Sequence, residues 1–381
     1  MSPGQNIVII APLAPYRGGI ARHSQAMAKA LAQRCEGRVS GVSFSRLYPR
    51  LLYPGASDRD PDLSATRVLD VDYSIDSINP LSWRKVAKKL IRDRPTLVVI
   101  PAWTFFVAPA LGFIARKLRK AGIRVVMIVH NAADHDANAW KARLLHWQIA
   151  ATDAILTHGN ELAAQLRAKS HLQPIAICQH PAYSDYPAAR DVLPRECALE
   201  LLCFGLVRHY KGVDIALRAL AASGLSDVRL TIAGEVWEGG TQISQLIKQH
   251  NLHHRVEVID RYVSDNEAAR LFDRCDAVLA PYRTVTGSGV AALARHYRRP
   301  LIAPDLEGFR ECIKDGQTGW LYPAGDEASL AQLIKTKVTR TSAAAMSSDL
   351  GAASNEDGWD DYARAVLSLA WPIPNAGRKN A

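Results

Sequence analysis

The chain has 381 residues, of which 48% are hydrophobic, 22% charged and 7% aromatic. That is too apolar for a disordered chain and too long for one ordinary core, so two domains are expected. The formal charge of +10 is uneven: residues 1–185 hold 24 Lys and Arg against 13 Asp and Glu, and the remainder 23 against 24. A basic first half points to an anionic partner, either nucleic acid or a membrane leaflet, with ordinary solvated charge as the plain alternative. Six cysteines (Cys35, Cys178, Cys197, Cys203, Cys275 and Cys312) are widely spaced, with no C-x-x-C pair. Reduced thiols in a cytosolic protein fit this better than a disulfide frame or a zinc site.

The opening "MSPGQNIVIIAPLAPYRGG" has no basic n-region and a five-residue apolar run before Pro12, which suits a first strand rather than a signal peptide. Gly18-Gly19 then opens the helical pattern "GIARHSQAMAKALAQR". Amides at such a turn can meet a phosphate or a sugar hydroxyl, although a tight turn needs glycine too, and no G-x-G-x-x-G marks a dinucleotide. Strands "RVSGVSFS" and "TRVLDVDYS" and the cationic helix "SWRKVAKKLIRD" follow. Pro95 to Ala115 carries no charge and is long enough to span a bilayer. Pro101 and Pro109 interrupt it, "TLVVI" is β-branched and "FFVAPALGFIARKLRK" turns amphipathic, so strand then helix is expected.

The next strand, "IRVVMIVH", ends on His130, followed by Asn131. A histidine at the carboxyl end of a strand faces a ligand cleft, where it more often hydrogen-bonds substrate than binds metal. Asp134-His135-Asp136 has a D-x-D spacing in a loop and is the one metal-like pattern on that side. Strands "DAILTH" and "PIAICQHP" close the first block, and the polar, proline-bearing "SDYPAARDVLPRE" reads as a linker.

The rhythm restarts with "ALELLCFG", "VRLTIAG", "RVEVID", "DAVLAPY" and "RPLIAPD", with helices between. Such alternation gives parallel sheets covered on both faces. The expected architecture is α/β: a doubly wound domain at 1–183, a linker at 184–196 and a second such domain at 197–354, facing each other across a cleft. Residues 355–381 form a terminal helix expected to pack back toward the first domain. "TRTSAAAMSSDLGAASNED" before it reads as a small polar stretch.

Ligands of doubly wound sheets sit beyond the carboxyl ends of the strands. There, "FGLVRHYKG" places Arg208 and Lys211 between a strand and a helix, as a diphosphate clamp or as solvated surface cations. "PYRTVTGSGVAALARHYRRP" puts Thr286-Gly287-Ser288-Gly289 at a helix start, either because two backbones pack closely or because an anion sits on the amides. Its glycines lack the G-x-S-x-G spacing of a nucleophile elbow, which disfavours a serine hydrolase.

The ordered set "FGLVRHYKGVDIALRAL", "LTIAGEVWEG", "RLFDRCDAVLAPYRTVTGSGV" and "RRPLIAPDLEGFRECIKDGQTGWLYPAGD" resembles the donor domain of retaining GT-B glycosyltransferases of family 4. "PYRGGIARHS", "SFSRLYPRLLYPG", "NPLSW" and "VMIVHNAADH" resemble a bacterial branch of the same family, so the likeness spans nearly the whole chain. The resemblance implies a GT-B fold of two Rossmann-like domains. It implies transfer of a sugar, with retention, from a nucleotide-diphosphate sugar to a saccharide or lipid-linked saccharide. Arg208 and Lys211 match the basic pair on the diphosphate, His130 the histidine near the transferred sugar, Gly18 and Gly19 the glycine loop, and Glu311 an acidic residue of structural or substrate-binding role. No metal or other cofactor and no nucleic acid is expected. The protein should be cytoplasmic and peripheral on the inner face of the membrane.

One departure stands out. Two glutamates eight residues apart are usual in the family, and those positions are Val285 and Leu293 here. Donor contacts are then left to Thr286, Ser288 and the loop amides. The rival reading is a degenerate GT-B protein acting as a scaffold in polysaccharide assembly. A GT-B phosphorylase or epimerase is a further alternative.

Overall fold

The computed structural model describes residues 5–49, 53, 55, 57–60, 69–131, 139–169, 171–183, 186–285, 287–352 and 358–371. The chain divides into two compact units, Met1–Gln179 with Gly358–Ala381, and His180–Asp357.

In the first unit the strands are β1 (Asn6–Ile10), β2 (Arg38–Arg46), β3 (Val71–Asp76), β4 (Leu97–Ala102), β5 (Arg124–Val129), β6 (Ala154–Thr157) and β7 (Ile175–Ile177). They form one parallel sheet in the order β3-β2-β1-β4-β5-β6-β7. Helices α1 (Gly19–Arg34), α2 (Pro80–Asp93), α3 (Ala108–Lys120), α4 (Ala139–Ile149) and α5 (Asn160–Ala168) connect them. Strand β4, "LVVIPA", is buried along its whole length, as a strand covered on both faces must be. The uncharged stretch from Pro95 to Ala115 thus resolves into β4 and the first half of α3. No helix among the described residues is long and apolar enough to cross a membrane.

The second unit repeats the plan with β8 (Leu199–Phe204), β9 (Val228–Ala233), β10 (Val256–Ile259), β11 (Ala277–Leu279), β12 (Leu301–Pro304) and β13 (Gly319–Tyr322), parallel in the order β10-β9-β8-β11-β12-β13. Its helices are α6 (Val213–Ala222), α7 (Gly240–Gln249), α8 (Asp265–Arg274), α9 (Gly289–His296), α10 (Glu307–Arg310), α11 (Glu327–Thr336) and α12 (Arg340–Ala352). Two Rossmann-like α/β domains are therefore present.

Helix α12 occupies what the sequence suggests is a small polar stretch. Thr339 and Ser342 explain the difference. Each hydroxyl accepts from the other's backbone N–H, at 3.1 and 3.0 Å, which closes a reciprocal cap. The alanines that follow are good helix formers, and Ala343 and Met346 reach the core. The last helix, α13 (Trp359–Ala370), lies on α1 in the first unit, where Arg34 Nη2 donates to Asp360 Oδ2 at 2.6 Å.

Candidate active site

In the second unit, β8 runs out through Gly205 and Val207 to Arg208, a single 3-10 turn at His209–Lys211, Gly212 and then α6. Arg208 Nε donates to Glu238 Oε1 at 3.1 Å, while Glu238 Oε2 accepts from the His209 N–H at 2.9 Å. One carboxylate thus orients both the guanidinium and its loop. Lys211 is 9% exposed; its Nζ donates to the Phe204 carbonyl at 3.2 Å and lies 5.2 Å from the Tyr282 ring centre. Burial pushes its pKa below the ordinary lysine value, with Tyr210 and Cys203 acting the other way. A small cavity adjoins it, lined in part by Cys203, Gly205, Val207 and Tyr282.

The glycine turn at the head of α9 is tied to this loop by Arg283. Its Nη1 donates to the His209 carbonyl and to Asp214 Oδ1, both at 2.9 Å, and its Nη2 to Asp214 Oδ2 at 2.7 Å. Its backbone N–H donates to the Tyr210 carbonyl at 2.7 Å. Asp214 also accepts from Arg218, which in turn holds Glu327. Burial works to raise the Asp214 pKa, but the hydrogen bonds from Arg283 and Arg218 outweigh it and bring it down to about 2. Arg283 is therefore a brace between the two loops.

The alternatives for the glycine turn can now be separated. A Cβ on Gly287 would meet nothing within 4 Å, and one on Gly289 only the Tyr183 hydroxyl at 3.9 Å. Gly289, the first residue of α9, does not have a positive φ. Close backbone packing occurs instead at Gly212 (φ +65°), where a Cβ would lie 1.9 Å from the Pro281 carbonyl oxygen. The 287–289 turn is left with open space above it. Ser288 caps α9, its Oγ accepting from the Ala291 N–H at 3.2 Å. Thr286 lies outside the described residues. Val285 and Leu293 are both buried, so the positions of the usual glutamates serve packing.

In the first unit, Gly18 (φ +99°) caps α1, and a Cβ on Gly18 or Gly19 would meet nothing within 4 Å. Its conformation, not crowding, requires glycine at 18. One turn further along α1, the His23 ring stands edge-on to His130, 4.7 Å between centres. His130 directly follows β5, its N–H donating to the Ala102 carbonyl at 2.9 Å, and it is buried. His158 follows the neighbouring strand β6, and its Nε2 is 3.1 Å from His130 Nδ1. Trp359 and Tyr362 of α13 pack their rings against His23, 5.2 and 5.1 Å away.

His23 and His158 were not singled out from the sequence. The signal was present in "VMIVH" and "AILTH", two strands each ending on histidine, and adjacent pairing brings those ends together. Ligand atoms of the three histidines lie within 4.8 Å of one another, making them the residues able to hold a metal among those described. Asp134 and Asp136 lie outside the described residues.

Gly18, Gly19 and His130 thus gather at one end of the first unit's sheet. Arg208, Lys211 and residues 287–289 gather in the second unit, braced by Arg283.

Similarity to known proteins covers both units. Residues 18–182 match the family model "Glycosyl transferase 4-like domain", and residues 198–339 match "Glycosyl transferases group 1". A GDP-mannose:glycolipid 4-beta-D-mannosyltransferase of Xanthomonas campestris is 27% identical over 211 residues, 54% of this chain and 57% of that protein. A glycogen synthase of Mycobacterium tuberculosis is 33% identical over 156 residues, 40% of this chain and 36% of that protein. These matches span little more than half and about a third of the two relatives.

Among solved structures, Anabaena HepE in complex with UDP-glucose superposes with a TM-score of 0.71 at 15% identity, covering 96% of this chain and all of that one. The lipopolysaccharide outer core galactosyltransferase WaaB superposes at 0.67 with 14% identity, covering 95% and 99%. At such identities the likeness is one of fold. With both halves matched by family models and the two-domain fold shared, the chain belongs to the GT-B glycosyltransferases of family 4.

Proposed function

We propose that the chain transfers a sugar from a nucleotide-diphosphate sugar to a saccharide or lipid-linked saccharide, with retention of configuration and without a metal. The observation that carries this reading is the open glycine turn at the N-terminus of α9, braced by Arg283 to the loop bearing Arg208 and Lys211. Free amides at a helix start and two cations beside it suit a diphosphate. The Xanthomonas relative is named for GDP-mannose and a glycolipid, and HepE was solved with UDP-glucose, which supports the substrate classes. That relative is also named for a β-linked product, so retention rests on the resemblance of the donor-side motifs and not on that relative.

In this mechanism, cleavage of the sugar–phosphate bond builds negative charge on the leaving diphosphate. Lys211, Arg208 and the amides of 287–289 meet that charge from fixed positions, which is the economical way to lower such a barrier. Diphosphate binding must draw Arg208 from Glu238 or share it. Gly18 and Gly19 approach the donor through backbone, and His130 hydrogen-bonds the transferred sugar. The acceptor hydroxyl attacks from the face the diphosphate leaves and gives its proton to the departing phosphate oxygen.

A thermal-shift panel of GDP, UDP and ADP, in EDTA, should show one nucleotide raising the melting temperature. Turnover of the matching donor should survive EDTA, and nuclear magnetic resonance of the product should show the donor's anomeric configuration. Stabilisation without transfer from any donor would favour the scaffold reading. A β-linked product from an α-linked donor would overturn retention, and activity restored only by magnesium or manganese would overturn metal independence.

We further propose that the first unit rests on the anionic inner leaflet of the cell membrane. Arg84, Lys85 and Lys88 of α2 are exposed, as are Lys117 and Lys120 of α3, which packs on α2. Leu81 at the start of α2 is 70% exposed, and Trp140 on α4 is 54% exposed beside Phe105 and Lys141. Each cation near such a leaflet contributes about 1 kcal/mol, and apolar side chains add insertion. Co-sedimentation with phosphatidylglycerol vesicles should be strong at low salt, fade at high salt and be weak with neutral vesicles. Binding indifferent to lipid charge, or none at low salt, would remove the membrane role.

A further inference from the structure

We propose that His158 is a positioning residue that fixes the tautomer of His130. His158 Nδ1 faces the carbonyl oxygen of Cys178 at 3.4 Å. A carbonyl only accepts, so Nδ1 of His158 carries the proton and its Nε2 presents a lone pair. That lone pair is 3.1 Å from His130 Nδ1, which must then be the donor. The chain Cys178 carbonyl, His158, His130 therefore holds His130 as the Nδ1–H tautomer and leaves its Nε2 an acceptor. Free neutral histidine prefers the opposite arrangement.

The surroundings hold both rings still. His23 lies edge-on to His130 and 5.2 Å from His158, and Tyr362 stacks on His158 at 5.9 Å and 24°. His130 and His158 each follow one of two adjacent parallel strands, so the sheet itself sets their separation. An Nε2 acceptor suits a sugar hydroxyl, which donates to it. An Nε2–H would suit a phosphate or a carbonyl oxygen instead. This consequence for transfer rests on the role of His130 proposed above, whereas the tautomer does not.

The test uses the full chain labelled with nitrogen-15 histidine. Long-range proton–nitrogen correlation, at a pH where the imidazoles are neutral, should show His130 and His158 both protonated on Nδ1. His158→Phe keeps the bulk and removes the acceptor, and His130 should shift to the Nε2–H form. His158→Gln places an oxygen near the lost Nε2 and should restore Nδ1–H. Turnover should fall about tenfold or more in His158→Phe and return to within about threefold of wild type in His158→Gln, with little change in donor KM. Circular dichroism identifies a variant that fails to fold, and the wild-type spectrum decides the tautomer regardless. Nε2–H on His130 in the wild type overturns the proposal, as does stoichiometric zinc bound by His23, His130 and His158. A flipped tautomer with unchanged turnover leaves the assignment intact and overturns the role given to His130 in transfer.

Discussion

Replacing Lys211 with alanine should lower turnover by about a hundredfold or more while leaving the melting temperature unchanged or higher. The two halves of this expectation have one cause. Lys211 is a nearly buried ammonium whose Nζ has the Phe204 carbonyl at 3.2 Å and the face of Tyr282. Burial disfavours its charged form, so the folded protein bears a cost at this position without a ligand. A bound donor diphosphate offsets part of that cost with the charge it already carries, and the further charge that develops as the sugar–phosphate bond breaks adds to this in the transition state. Lys211→Met keeps the stem and should behave as alanine does, with donor KM moved less than kcat. Arg208→Ala should cost less, about tenfold, because that side chain is a third exposed and already shared with Glu238. Stability loss without loss of turnover would make Lys211 a structural residue. Unaltered kinetics in both variants would place the clamp elsewhere.

Much of the fold was legible because burial on both faces leaves continuous apolar runs, and each such run quoted from the sequence falls on a strand or its edge. "TLVVIP" and "IRVVMIVH" are β4 and β5 almost residue for residue. The helix α12 was not legible, because its signal is a pair of hydroxyls closing a cap rather than an apolar period. In the site, Arg208 and Lys211 stood out as cations beside a strand end, and His130 as a polar residue after an apolar strand. What makes them a site is tertiary. Arg283 reads as a loop cation in the sequence, yet it is spent on Asp214 and the His209 carbonyl. His23 looks like a helix residue among others until α1 sets it against His130. The family's missing glutamates were legible as a departure, and their replacements are buried aliphatics. Such side chains have no polar group to offer a donor, so the neighbouring backbone carries the proposed contacts.

Gly212→Ala should be among the most damaging single methyls in the second unit, costing about 3–5 kcal/mol. Two effects combine there. The residue sits at φ +65°, a conformation that costs a non-glycine residue about 1 kcal/mol or more. The added Cβ would also lie 1.9 Å from the Pro281 carbonyl oxygen, against backbone that cannot rotate away as a side chain does. Gly224→Ala isolates the first effect, since Gly224 has φ +66° and nothing within 4 Å of its Cβ. It should cost about 1 kcal/mol. Urea unfolding of the two variants side by side gives the difference, and hydrogen exchange at the amides of α6 and α9 assigns it to this unit. The difference bears on function because Gly212 follows Lys211 directly and Pro281 precedes Arg283 by two residues. Forcing them apart strains the Arg283–Asp214 brace and separates the cations from the open turn at 287–289. Donor affinity should therefore fall in Gly212→Ala even where the protein remains folded, and not in Gly224→Ala. Equal stability losses in the two variants, with equal donor affinity, would show that the loops do not need this close approach.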